Sequence, residues 1–116
     1  MRKLLVAVSC MGLILSAGLL AQEKGKGKGG AGDAVKGKDL FGGSCMVCHS
    51  PDTDARIVGP GLKDLFKHPK LVNDKAPTDA SVMALVNEGS PNGMPAFGDV
   101  LTASEKADLL AYLKTL

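Results

Sequence analysis

The stretch CMVCH, residues 45–49, constrains this chain more than any other feature, because it places two thiols and an imidazole within five residues. Side chains of these types can bind zinc, exchange a disulfide or hold a haem. Each of these functions requires a different structural setting. The motif therefore has to be interpreted together with the rest of the fold.

The domain that contains the motif is poor in large side chains. The domain, residues 33–116, has 84 residues, which include no Trp, one Tyr and three Phe. Domains of this size usually need a disulfide, a metal or a cofactor to complete their core. A disulfide between Cys45 and Cys48 would close a loop of a few residues and would add little stability. We therefore expect a bulky bound group at the centre of the domain.

Residues 1–21 have the pattern of a secretory signal peptide. Arg2 and Lys3 precede an apolar run from Leu4 to about Leu20, which is the order found in such signals. We therefore expect export of the chain, which in a bacterium leads to the periplasm. Because the run is also long enough to span a bilayer, an uncleaved anchor facing the periplasm is the alternative. Lipid attachment at Cys10 is disfavoured, since the apolar run continues well past it.

Residues 22–32, QEKGKGKGGAG, have the composition of a flexible Gly/Lys-rich linker. The whole chain has a formal net charge of +2, but residues 33–116 contain nine Lys and Arg against eleven Asp and Glu, a net charge of −2. A mildly acidic domain argues against nucleic acid as a partner. Membrane contact is expected only if the N-terminal segment is retained.

The hydrophobic pattern predicts an all-α domain with three main helices and long loops. The first covers residues 34–44, with Gly42 and Gly43 at its end. The second starts at Thr78 or Asp79 and ends at Gly89, and the third follows a capping box at residues 102–105. One short helical turn is predicted at residues 62–66. No stretch alternates in the way that a strand does.

Zinc binding and thiol redox chemistry both fit the motif poorly. Structural zinc needs four ligands. Apart from the motif, the domain offers no cysteine and only His68, and the adjacent Cys48 and His49 rarely point at one small ion. A redox C-x-x-C normally lies in a βαβ unit, and this domain has no predicted strand.

Covalent haem attachment fits the motif best, since C-x-x-C-H is the signal for c-type haem. Positions i, i+3 and i+4 share one face of a helical turn. Cys45 and Cys48 can therefore bond one porphyrin as thioethers while His49 meets its iron from the same side. One haem c would also supply the missing core.

Met94 is the predicted ligand at the sixth position of the iron. It lies between a glycine and a proline in the sequence NGMP, which suits a side chain held inward from a loop. The other methionines of the domain lie inside the motif (Met46) or in a helix (Met83). Two alternatives remain: Met94 as a buried anchor beside the haem edge, and His68 as the ligand.

Five motifs in order resemble class I, mitochondrial-like bacterial cytochromes c, and the resemblance covers residues 34–116. The motifs are Gly37–Phe41, Cys45–His49, Gly59–Leu62, Gly93–Phe97 and Leu110–Leu113. The resemblance implies that the carbonyl of Pro60 accepts a hydrogen bond from His49. It also implies that the last helix crosses the first at its glycine.

With His49 and Met94 as axial ligands, the expected function is electron transfer rather than catalysis. The chain would be a monomeric carrier of single electrons between periplasmic or membrane-bound redox proteins, which would dock weakly at an exposed haem edge. Two alternatives stay open: a haem peroxidase or gas sensor with a labile Met94, and an electron-entry subunit of a respiratory enzyme.

Overall fold

A computed structural model of the protein describes residues 31–116. The predicted signal peptide, residues 1–21, and residues 22–30 of the predicted linker lie outside the described residues. The described part contains no strand, which confirms the all-α prediction. Its elements are a helix α1 at Ala34–Ser44, a short 3-10 helix at Leu65–Lys67, and helices α2 at Asp79–Glu88 and α3 at Ala103–Leu113. None of these helices has the length and apolar character needed to cross a bilayer.

Side-chain caps determine where the three main helices start. The carboxylate of Asp33 accepts hydrogen bonds from the first amides of α1. Thr78 with Ser81, and Thr102 with Glu105, form the capping boxes of α2 and α3. The pKa of Glu105 is lowered because its carboxylate accepts hydrogen bonds from the backbone amide and the hydroxyl of Thr102. These caps satisfy amides that have no partner inside the helix.

The bounds predicted for the first helix are confirmed, whereas those of the short helical turn are shifted. α1 covers Ala34–Ser44, and it ends one residue after Gly42 and Gly43, which lie in its last turn. The short turn predicted at residues 62–66 is a 3-10 helix at Leu65–Lys67. It begins late because Asp64 adopts a left-handed conformation, with φ of 52°, that interrupts a helical path.

The closest contact between helices is the crossing of α1 and α3 at Gly37. A Cβ at this position would lie 2.0 Å from the carbonyl oxygen of Asp108 and 2.8 Å from Cβ of Tyr112. One turn later, the ring of Phe41 packs against that of Tyr112 at 5.4 Å between centroids. The expectation that the last helix crosses the first at this glycine is confirmed.

A buried carboxylate, which sequence analysis did not identify, fixes the start of the domain on α3. The side chain of Asp108 accepts a hydrogen bond of 2.7 Å from the backbone amide of Asp33. Gly32 lies so close to α3 that a Cβ there would be 2.1 Å from the carbonyl carbon of Ala107. The chain therefore enters the domain directly over the α1–α3 crossing.

Around this crossing lies a small core, whose buried members come from all four elements. They are Phe41, Leu65, Val82, Val86, Leu109, Tyr112 and Leu113. α1 and α3 pack along each other, whereas α2 approaches α3 much less closely. The space between the α1–α3 pair and α2 opens into a cavity.

We predict that Gly37→Ala destabilises the holoprotein by about 1–3 kcal/mol, the usual effect of overpacking, because the two helices must separate to admit the methyl group. The matched control is Gly42→Ala, in the same helix, where an added Cβ meets nothing within 4 Å. This control should gain about 0.5–1 kcal/mol from reduced backbone entropy in the unfolded state. Denaturant unfolding of both holoproteins measures the difference, and equal stabilities would contradict the close crossing.

Candidate functional site

A cavity of about 300 Å³ brings together all five residues that the sequence singled out for haem binding. Cys45, Cys48, His49, Pro60 and Met94 all line it. The rest of its wall is mainly apolar and comes from every helix, including Phe41, Leu62, Leu65, Val82, Val86, Phe97, Leu109 and Leu113.

The CMVCH motif forms a helical turn directly after α1. The amide of Cys45 still bonds the carbonyl of Phe41 at 2.9 Å, and the amides of Cys48 and His49 both bond the carbonyl of Cys45, at 3.0 and 2.9 Å. These are the i+3 and i+4 bonds of a single turn. The two thiols and the imidazole therefore have the spacing that one flat group requires.

The ring of His49 is held by the loop that contains Pro60. Its Nδ1 lies 2.8 Å from the carbonyl oxygen of Pro60. Because a carbonyl can only accept, Nδ1 must carry the proton, and the lone pair of Nε2 remains for a metal. The hydrogen bond that the resemblance implied is thus present in the structure.

Gly59 lets this loop approach the imidazole. A Cβ at Gly59 would lie 2.5 Å from Cε1 of His49 and 2.9 Å from Nδ1. The amide of Gly59 also donates to the carbonyl of Cys48 at 2.8 Å. The ring therefore rests against bare backbone, which fixes its orientation.

Two other interpretations of the motif receive no support from the geometry. Burial raises the pKa of the Cys45 thiol, and the neighbouring Cys48 raises it further, whereas thiols active in disulfide exchange have a lowered pKa. Within residues 31–116, no three His, Cys, Asp or Glu side chains are grouped so that they could hold a metal ion.

Met94 is carried by a loop that we call the Met94 strap, residues 89–98. The strap begins at Gly89, whose φ of 73° suits glycine, and a Cβ there would lie 2.4 Å from the carbonyl oxygen of Met94. The amide of Ser90 donates to that same carbonyl at 3.0 Å. Gly93 has a φ of 109° and lets the chain turn just before Met94. Gly93 belongs to a sequence motif, whereas the role of Gly89 is evident only from the structure.

The second half of the strap returns along the C-terminal end of α2. The amide of Phe97 donates to the carbonyl of Val86 at 2.8 Å, and that of Gly98 to the carbonyl of Asn87 at 3.1 Å. These carbonyls have no partners inside the helix. The strap is therefore bound to α2 at both of its ends.

His68, the alternative sixth ligand, also lines the cavity. Its Nε2 lies 2.8 Å from the carbonyl oxygen of Lys63 and 3.5 Å from the carboxylate of Asp54. This nitrogen is already engaged in a hydrogen bond with backbone. As at His49, such a bond leaves the other ring nitrogen as a possible metal ligand, so His68 stays the alternative to Met94.

The cavity wall contains basic residues but no acidic one. Arg56 and Lys70 are its charged members. Lys70 is paired with Asp74 at 2.5 Å, whereas Arg56 takes part in no ion pair within residues 31–116. This local charge contrasts with the net charge of −2 that residues 33–116 carry.

Comparison with known proteins agrees with the geometry. The family model described as cytochrome c oxidase, cbb3-type, subunit III matches residues 32–113. Cytochrome c6 of Rippkaea orientalis is 35% identical over 83 residues, which are 72% of this chain and 70% of that protein. Cytochrome c6 of Diacronema lutheri is 29% identical, over 71% of this chain and 94% of that protein.

Among solved structures, cytochrome c6 from the diatom Phaeodactylum tricornutum matches with a TM-score of 0.56 and 30% identity. The match covers 72% of this chain and 93% of that one. The chain therefore belongs to the cytochrome c family. It is a small monohaem cytochrome of class I with one covalently attached haem c, and it is an electron carrier and not an enzyme.

The residues present fit such a group. Two thiols, a ring nitrogen and a thioether line one mainly apolar cavity, and the glycine beside His49 leaves no side chain between loop and ring. These donors match those that attach and ligate c-type haem.

We predict that Gly59→Ala lowers the yield of covalently attached haem and adds a high-spin component to the spectrum. Its methyl group would displace the His49 ring from Pro60. Gly43→Ala is the matched control, because a Cβ at Gly43 meets nothing within 4 Å. Haem content after denaturation and the absorption spectrum of both variants measure the effect. A normal low-spin spectrum in Gly59→Ala would contradict the role given to this glycine.

Proposed function

We propose that this cytochrome carries single electrons with a haem that Cys45 and Cys48 attach and that His49 and Met94 ligate. The observation that carries the proposal is the hydrogen bond of 2.8 Å between Nδ1 of His49 and the carbonyl of Pro60, because it leaves Nε2 as the metal-binding atom in the cavity that Met94 also lines. The haem, when bound, supplies a one-electron Fe(III)/Fe(II) couple.

The protein would adjust the potential of this couple in three ways. The bond to Pro60 fixes the His49 ring and raises its basicity. The soft thioether of Met94 favours the reduced state relative to a second histidine. The apolar wall limits access of water, which disfavours the more highly charged oxidised state.

The mouth of the cavity is the proposed site of electron exchange. Val58 lines the cavity and is 66% exposed, and Val47, inside the attachment motif, is 74% exposed. The bond between the amide of Gly59 and the carbonyl of Cys48 keeps these two segments side by side. A redox partner would cover this apolar surface in a small, transient interface. Arg56, at its edge, would favour a partner with acidic groups there.

The remaining parts of the chain fit export. We propose that residues 1–21 direct it to the periplasm, that residues 22–32 act as a spacer and that residues 33–116 work there as a monomeric domain. If residues 1–21 are retained as an anchor, the domain faces the periplasm beside the membrane.

A second candidate is an electron-entry subunit of a respiratory enzyme. The matching family model favours it, since it is described as subunit III of a cbb3-type cytochrome c oxidase. Purification of the tagged chain under mild conditions distinguishes the two candidates. A stable complex with an oxidase supports the subunit, and a monomer that exchanges electrons rapidly with several proteins supports the mobile carrier.

We predict that Met94→Leu keeps the haem covalently attached, abolishes the weak near-red Met–iron band and lowers the reduction potential. The matched control is Met83→Leu, because Met83 packs against the core from α2 and not from the strap. The control should keep the band and lose at most about 1.5 kcal/mol of stability. Spectra and redox titrations of the two variants measure this. If both variants keep the Met–iron band, Met94 is not the ligand.

We predict that Arg56→Gln slows oxidation of the reduced protein by hexacyanoferrate(III), about three- to ten-fold at low salt, because one positive charge near the site of electron exchange attracts a trivalent anion. The effect should shrink as salt is added. Lys36→Gln, in α1 and outside the cavity, removes the same charge as a control. Equal rates for both variants would show that electrons do not leave beside Arg56.

A further inference from the structure

The haem cavity lies between two parts of the domain that belong to different elements of the chain. α1 continues directly into the CMVCH turn and packs tightly on α3, so Cys45, Cys48 and His49 move with the α1–α3 pair. Met94 belongs to the strap, whose backbone bonds return to α2. α2 approaches α3 much less closely than α1 does. The distance between the two proposed axial ligands therefore depends on what joins the strap and α2 to α3.

Lys106 provides one such link. It lies in the second turn of α3, and its Nζ donates a partly buried hydrogen bond of 2.6 Å to the carbonyl of Gly98, the last residue of the strap. Within residues 31–116, this is the one hydrogen bond that connects the strap with α3. It acts at the end of the strap that is farthest along the chain from Gly89.

The choice of acceptor sets Lys106 apart from other lysines. Lys67, Lys70 and Lys114 each bond an exposed carboxylate, the kind of surface pair that contributes little to stability. Lys106 instead bonds a neutral carbonyl in a partly buried place and belongs to no ion pair of the described residues. A charged donor makes such a bond stronger than a neutral one, and its removal leaves a carbonyl without its partner.

Lys114 offers an internal comparison, because it also joins α3 to α2. Its Nζ lies 2.6 Å from the carboxylate of Asp79, at the first residue of α2, and both side chains are about half exposed. This link holds the end of α2 that is remote from the strap. Lys106 and Lys114 thus join the same two parts of the domain, but only Lys106 bonds the segment that carries Met94.

We propose that Lys106 is a positioning residue, which clamps the Met94 strap onto α3 and thereby sets how readily Met94 gives up the distal position. The inference rests on the proposed function, in which Met94 is the sixth ligand. The bond from Lys106 to Gly98 is formed while Met94 occupies the distal position, and we call this arrangement the closed state. Displacement of Met94 by an external ligand requires the strap to move away from α3, and this movement breaks the bond. Loss of the Lys106 bond therefore favours the open state, in which the strap has moved away from α3.

The experiment measures binding of imidazole to the oxidised holoprotein, followed by loss of the Met–iron band, in the wild type, Lys106→Met and Lys114→Met. Lys106→Met should bind imidazole at least about tenfold more tightly than the wild type, because it lacks a hydrogen bond with a charged donor. Lys114→Met removes the same charge and should bind like the wild type. Lys106→Arg, which retains a charged donor, should restore at least part of the difference. Equal affinities in Lys106→Met and Lys114→Met, with the band intact in both before titration, would overturn the proposal.

Amide hydrogen exchange of Phe97 and Gly98 separates this proposal from the ligation proposal. If the wild type lacks the Met–iron band, then Met94 is not the ligand, and the exchange rates alone decide whether the clamp exists. Faster exchange at these two amides in Lys106→Met, but not in Lys114→Met, supports the clamp. Equal exchange in the two variants refutes it, whatever ligates the iron.

Discussion

The contact between α1 and α3 at Gly37 is the constraint on which the rest of this structure depends. Because α1 runs without interruption into the CMVCH turn, any change in this crossing would also displace Cys45, Cys48 and His49. The crossing needs a residue with no side chain, since a Cβ at Gly37 would collide with the backbone of Asp108. Asp108 in turn holds the entry of the domain through the amide of Asp33.

The distal side of the cavity is built on a different principle. There the backbone bonds of the Met94 strap return to α2, and α2 is joined to the α1–α3 pair by side chains more than by close backbone contact. A covalently attached group between the two parts would join them more firmly than the polypeptide does alone. This explains how so small a domain with few aromatic residues can fold, because the haem completes a core that the chain leaves open.

Much of the fold followed from local signals. The capping residues at Thr78 and Thr102 predicted the starts of α2 and α3 correctly, since caps act within a few residues. The motif residues around His49 were also identified, because their chemistry depends on spacing along one turn. Lys106 and Asp108 were missed. Each of them acts on a backbone group distant in sequence, and neither differs locally from a solvated charge on a helix.

The sequence by itself determined that the domain is helical, where the attachment motif lies and that a bulky group completes the core. Propensity, capping and ligand spacing are local properties of the chain. Only the tertiary structure decided which surfaces meet. It placed the carbonyl of Pro60 against the ring of His49, opened Met94 onto the same cavity and joined Lys106 to Gly98. These contacts depend on how independent elements pack, and packing selects among many arrangements that the same local signals allow.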